Sequence, residues 1–398
     1  MQKKLIALAI AGLSGAAFAQ SNVTIYGVMD GTFDSVSATG ATAANSDLGG
    51  RSRVSSNSSY IGFKGVESLG NGLAVAFQIE NGLQSENGAA GVWNNRDTYV
   101  GLAGGFGTVA IGNVTGPTRA LGAKFDVNAG ATGIGANTAL LGKGALTGAG
   151  ASAFDQRITN AIAYISPNLS GFSGVVGYST GVTNTVLGTT LSGKENSAAG
   201  TDVKGNTAWT LGLNYENGPF YIGYAYTQVN TTNSGATAPD GLLGVYQKAK
   251  DNRLGAMWNF GAGTVGLLYD RPTYTTSNNA AFWTPLGIAL NKDRSQTIWY
   301  LPVTFNVGAG KIIAQYGHAG NVTDSPNTGA KHFEIGYEYS MSKRTTLKAL
   351  WSQISNDSNA AADFLYGVSA GNTTGTSTGV PSAGSDPKGI SIGIRHSF

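Results

Sequence analysis

The chain has 398 residues, with 25 Lys and Arg against 22 Asp and Glu, so that 12% of it is charged, where soluble domains run near ~25%. It contains 60 Gly, 10 Pro and no Cys, which excludes thiol redox chemistry and Cys-ligated metal sites. A mean hydropathy of −0.05 excludes a bundle of membrane helices, and the lack of any basic cluster excludes a nucleic-acid partner. What remains is a β-protein with one face in lipid and the other in water, whose apolar residues alternate and so average away.

The first element is a leader over residues 1–19. Lys3 and Lys4 open it, Leu5 to Phe18 form an apolar core too short to span a bilayer, and Ala17-Phe18-Ala19 is an Ala-x-Ala cleavage site. Residues 1–19 are therefore expected to be a signal peptide and 20–398 a single barrel domain. Losing Lys3 and Lys4 leaves 23 basic residues against 22 acidic ones.

After the leader, period-two alternation recurs. Val23, Ile25 and Met29 oppose Thr24 and Asp30; Leu73, Val75, Phe77 and Ile79 oppose Gln78 and Glu80. Trp209, Leu211, Leu213 and Tyr215 follow the same rule, as do Leu254, Ala256, Trp258 and Phe260, and Phe333, Ile335, Tyr337 and Tyr339. Each run approaches the ~10 residues a tilted membrane strand needs. Short connectors fall at 68–72, 104–107, 167–171, 216–219, 261–263, 308–310 and 341–344. Long ones fall at 37–51, 85–94, 114–155, 182–205, 231–251, 275–293, 320–330 and 357–387. Long and short alternate, so eight loops and seven turns predict sixteen strands with both chain ends on the short-turn side. Lipid forbids open sheet edges, and the ring must close. "GISIGIRHSF", from Gly389, is the predicted closing strand. Its Ile390, Ile392 and Ile394 face lipid and its Ser391, Gly393 and Arg395 face the lumen. Sixteen strands enclose an aqueous channel. An interfacial girdle is expected from Tyr26, Tyr164, Tyr178, Tyr215, Tyr221, Tyr269, Tyr337, Tyr339 and Phe398.

The stretches "SNVTIYGVMDGTF", "SYIGFKGVESLGNGLAVAFQIENGL", "RDTYVGLAGGFGTVAIGN" and the terminal "GIRHSF" resemble the Gram-negative general porins of the beta-proteobacterial type. The resemblance spans nearly all of residues 20–398. It implies an all-β, sixteen-stranded transmembrane barrel in the outer membrane, with short periplasmic turns, long external loops and a third loop folded inward. It also implies a homotrimer, contact with outer-membrane lipids and lipopolysaccharide, and a terminal Phe398 read by the barrel-assembly machinery.

Such a channel needs no catalytic group, cofactor or metal. It needs a constriction and a field, because rings of charge at the narrowest point sort ions by sign. The third long loop carries Arg119, Lys124 and Asp126 among many Gly and Ala. On the wall, Lys64 alternates with Ile61 and Phe63 and should point inward. Arg157, opposing Ile158 and Ile162, should do the same. The parity of Arg96 is ambiguous. The porins this chain resembles place inward arginines at positions matching Arg96 and Arg157, but many of them carry Arg where this chain has Tyr60. Arg51 and Arg53 compensate from the loop side. The expected function is passive diffusion of ions and small hydrophilic solutes with weak anion preference. A substrate-specific porin for sugars or organic anions would need an aromatic or arginine ladder, and Tyr26, Tyr60, Trp93 and Trp283 form none recognisable from sequence. A secreted β-solenoid adhesin would show a fixed repeat, and none is present. His318, His332 and His396 are too scattered for a metal triad.

Overall fold

The structure is a computed structural model that describes residues 22–84, 86, 96–143, 152, 154–181, 184–186, 189–191, 207–230, 246–276, 290–364 and 381–398. The expected leader lies outside these, as do Trp93 and Trp283. Sixteen antiparallel strands form a closed barrel. β1 is Asn22–Thr39; β2 runs as Leu48–Ser56 and Tyr60–Gly70; β3 is Leu73–Gly82; β4 is Thr98–Gly104; β5 is Gly107–Thr115. β6 is Arg157–Ile165, β7 Phe172–Ser179, β8 Thr207–Asn217, β9 Phe220–Asn230 and β10 Tyr246–Asn259. β11 runs as Gly263–Asp270 and Thr273–Thr276, and β12 as Asp293–Ser295 and Ile298–Val307. β13 is Gly310–Ala319, β14 Ala330–Ser340, β15 Thr345–Asn356 and β16 Asp386–Ser397.

Closure falls where the terminal alternation predicts it. β1 and β16 pair from Val28 opposite Ser397 to Thr39 opposite Asp386. Beyond the last pair, Gly27 and Phe398 exchange two N–H···O bonds of 3.1 Å. No strand edge is left for lipid to desolvate. The outward faces carry the expected apolar rows: Ile25, Phe33, Leu213, Leu254, Ile335 and Ile392 are all about half exposed on the isolated chain. Two girdle expectations fail. Tyr26 and Tyr221 point into the lumen, Tyr26 opposite Gly62 and Tyr221 packed on Phe125. Parity, not nearness to a strand end, decides the face, and both residues alternate with outward Ile25 and Ile222. Two connectors are also shorter than expected, because β1 continues to Thr39 and β10 begins at Tyr246. The strands thus rise past the apolar band on the loop side.

The third connection enters the barrel. It opens with helix α1, Pro117–Lys124, whose Pro occupies the first turn, where its missing N–H costs nothing. A short 3-10 turn, Asn137–Ala139, follows. The molecule's apolar core lies here, inside the lumen. Leu121, Phe125, Ile134, Leu140 and Leu141 of the connection pack on Tyr221, Leu268, Ile298, Tyr300 and Ile354 of the wall. Phe125 fits because β10 and β11 present Gly255 and Gly266 beneath it; a Cβ on Gly266 would stand 3.2 Å from its ring. Simple polar-inward alternation therefore breaks under the loop, where apolar side chains face inward and are buried.

Candidate pore constriction

The loop-covered wall is held by charge as well as by packing. Arg253 on β10 is fully buried. Its Nε donates to Asp270 at 2.9 Å, its Nη1 and Nη2 to Asp155 at 2.7 and 3.1 Å, and its Nη1 to the Thr118 carbonyl at 2.9 Å. Asp251 completes the cluster at 3.4 Å. One guanidinium thus ties the start and the return of the third connection to β10 and β11. On the other flank, Asn128 donates to Glu334 at 3.0 Å and the Ala129 N–H donates to Glu338 at 3.0 Å. Gln315 donates to Glu334 at 2.7 Å and to the Gly135 carbonyl. Asp126 accepts from the N–H groups of Asn128 and Asn137 at 2.8 and 2.7 Å and from the Asn128 side chain at 2.9 Å. Burial outweighs those bonds and, with the nearby Glu338 charge, pushes the Asp126 carboxyl up to about 6.

The uncovered wall has another composition. Register places Lys64 opposite Thr24 and Gln78, Gly62 opposite Tyr26 and Glu80, and Tyr60 opposite Val28 and Gly82. Side chains directly opposite share a face, so Lys64, Tyr26, Tyr60 and Glu80 are all lumenal. Glu80 is crowded with donors: Tyr26 Oη at 2.8 Å, Gln78 at 3.0 Å and Arg96 Nε at 3.2 Å. Arg157 pairs with Asp97 at 3.4 Å, and Asp97 also accepts from the Thr115 N–H at 2.6 Å. Arg96 and Arg119 both lie within electrostatic reach of Arg157. Lys64 has its ammonium 4.8 Å from the Tyr26 ring centre and no carboxylate partner among the described residues.

Tyr60, Lys64, Arg96 and Arg157 therefore gather on one patch of β2, β3, β4 and β6, with Arg119 facing them from α1. Arg96 joins the patch despite its ambiguous parity, because β4 begins only at Thr98 and the alternation does not yet bind it. The premise for Arg157 differs from the sequence reading. Ile158 is buried and does not oppose it toward lipid, because Asn160, with φ 47°, interrupts the alternation; Arg157 still reaches the inward Asp97. The other candidates lie apart. Arg53 is tied to Asp34 at 3.2 Å, while Arg51 is exposed near the loop-side end, opposite Val36. Lys124 lies over the Tyr221 ring at 4.5 Å, on the loop's wall side. Phe398 lays its ring over Gly27 at the closing seam. Sequence reasoning missed Arg253, Asp270 and Glu338 as anchors. Alternation gives the side of Arg253 and Glu338, but nothing local signals what will cover them.

A closed barrel with an apolar outer band, a charged lumen and a loop folded into that lumen is an outer-membrane channel for passive diffusion. The description of Gram-negative porins matches residues 5–360, and this chain belongs to that family. It is 30% identical to outer membrane porin protein 32 of Delftia acidovorans over 407 residues, covering 100% of both chains. The solved anion-selective porin from Comamonas acidovorans matches with a TM-score of 0.72 and 24% identity, over 95% of this chain and 100% of that one. The in-vitro folded OmpT of Vibrio cholerae, in its trimer form, matches at a TM-score of 0.61 and 12% identity, over 95% and 99%.

Proposed function

We propose that the constriction lies between the third connection and the patch of Tyr60, Lys64, Arg96 and Arg157, and that it passes small anions moderately better than cations. The observation that carries this reading is the charge balance of the patch. Three cations, Lys64, Arg96 and Arg157, stand beside two carboxylates, Glu80 and Asp97, and each carboxylate is spent on one arginine. Lys64 is left over, and Arg119 of α1, which donates to the Asp155 carbonyl, adds a positive charge near Arg157. A small positive excess over a water-filled gap biases flux without blocking it. The anion selectivity stated for the Comamonas porin supports the same sign. The test is the reversal potential of single channels under a KCl gradient: it should favour chloride, and a clear potassium preference would overturn the reading.

A homotrimer is supported by the trimer form of the OmpT relative. Heat-modifiable migration of a detergent-extracted complex near three chain masses tests it. Residues 1–19 act as a cleaved leader, Phe398 is read by the barrel-assembly machinery, and lipopolysaccharide contacts the outward face. Passive flux requires no catalytic residue, and none is assigned.

A further inference from the structure

The uncovered wall carries a column of two adjoining rings with a cation at each end. Successive levels of the β1–β2 register place Lys64, then Tyr26, then Tyr60 along the pore. Levels two residues apart are separated by ~7 Å. The Lys64 ammonium lies 4.8 Å from the Tyr26 ring centre. Tyr26 meets Tyr60 edge to face, with ring centres 6.1 Å apart and planes at 76°. The Arg96 guanidinium covers Tyr60 at 4.3 Å. Tyr26 is laid along the wall because Gly62 leaves room: a Cβ there would stand 2.6 Å from its Cζ. Glu80 fixes the column from behind. One of its oxygens holds the Tyr26 hydroxyl and the other holds Arg96 Nε. Both rings are only partly buried, so π surface remains open to the lumen between two cations.

We propose that this column is a low-affinity binding track for small aromatic carboxylates. The inference rests on the constriction reading above and names a preferred solute for the same site. A carboxylate satisfies Lys64 or Arg96, and only an aryl group on the same solute can also use the ring edges between them. An aliphatic acid of equal size takes the charge contact alone, and a neutral arene takes the ring contact alone. Two cations at opposite ends let the solute pass from one to the other without being trapped, as conduction requires. Tyr60 is the decisive member. It is the ring that both the Arg96 guanidinium and the Tyr26 ring contact.

The test is single-channel block in KCl by benzoate against cyclohexanecarboxylate, which match in charge and size but differ in π character. Benzoate should block the natural protein at a concentration about five- to ten-fold lower, the range one aromatic contact supplies. Tyr60→Leu and Tyr26→Leu should each bring the two acids together. Tyr26→Phe, which keeps the ring, should preserve the preference. Tyr60→Arg should abolish the preference while keeping block by both acids. Every variant that inserts and conducts has folded, so loss of discrimination is not loss of structure. Equal block by both acids in the natural protein, or a preference that survives both leucine variants, overturns the track. The constriction reading fails separately, on a reversal potential measured in KCl without either acid.

Discussion

The two walls of the lumen are built by the same rule and do different things. On β10, β11, β13 and β14, inward charges such as Arg253, Asp270 and Glu334 are buried and spend their bonding capacity on the third connection. On β2, β3, β4 and β6, inward charges such as Lys64 and Arg96 stay partly exposed and rest on aromatic rings. A lumenal charge is thus a structural anchor where the loop covers it and, in the proposed constriction, a selectivity element where the loop does not. The covered side is dry, so leaving a charge there unpaired is costly. The uncovered side is wet, so the same charge stays available to ions.

The sharpest way to break that contrast is Arg253→Met. It strands Asp155, Asp251 and Asp270 in the dry wall, and losing one member of a buried charge cluster costs about 3–5 kcal/mol. Thermal unfolding of detergent-extracted protein should begin at markedly lower temperature. Single channels should grow noisier and wider as the loop loosens. An unchanged conductance with normal stability would mean the loop is seated by packing alone. On the other wall, Lys64→Glu should leave stability nearly untouched and drive the reversal potential clearly toward cations, because it turns the patch's surplus charge from positive to negative. Arg157→Glu should move it the same way but less. That change leaves two carboxylates facing each other at Asp97, so the local structure relaxes and one of them holds a proton more tightly.

The smallest effect concerns pH and lies on the loop itself. Asp126 titrates near 6 in the fold against an ordinary value of 3.8. A raised carboxyl value means that the folded state holds the proton more tightly than the unfolded one. Its contribution to stability is therefore full below about 3.8 and is lost as pH rises toward 6. Acidifying from pH 7.5 to 5 should neutralise Asp126 and make the channel slightly more anion-selective. Asp126→Asn should hold the channel near its low-pH behaviour and flatten the inflection. A profile identical in both proteins would assign that inflection to other groups.

Much of the fold was legible because lipid and water impose period-two patterning on strands that touch both. The row Ile390, Ile392 and Ile394 announced the closing strand before any pairing was known, and the alternation of long and short connectors counted the strands. The same rule placed Lys64 inward. It misled at Ile158, where Asn160 interrupts the alternation, and under the third connection, where inward residues are apolar; Tyr26 and Tyr221 were misplaced because they were judged by nearness to strand ends instead of by parity. The proposed constriction was legible only in part. Arg96 and Arg157 could be suspected, but their carboxylate partners Glu80 and Asp97 lie 16 and 60 residues away, beyond the reach of any local pattern.

The sequence by itself determined which face of each strand meets hydrocarbon, how many strands there are, and that the ends must join, because those follow from side-chain period and the cost of unpaired backbone in lipid. Only the tertiary structure decided which inward residues stand under the folded loop and which line open water. That choice depends on register between strands and on how Phe125 and Arg253 seat the third connection, and both are set by contacts between residues distant along the chain.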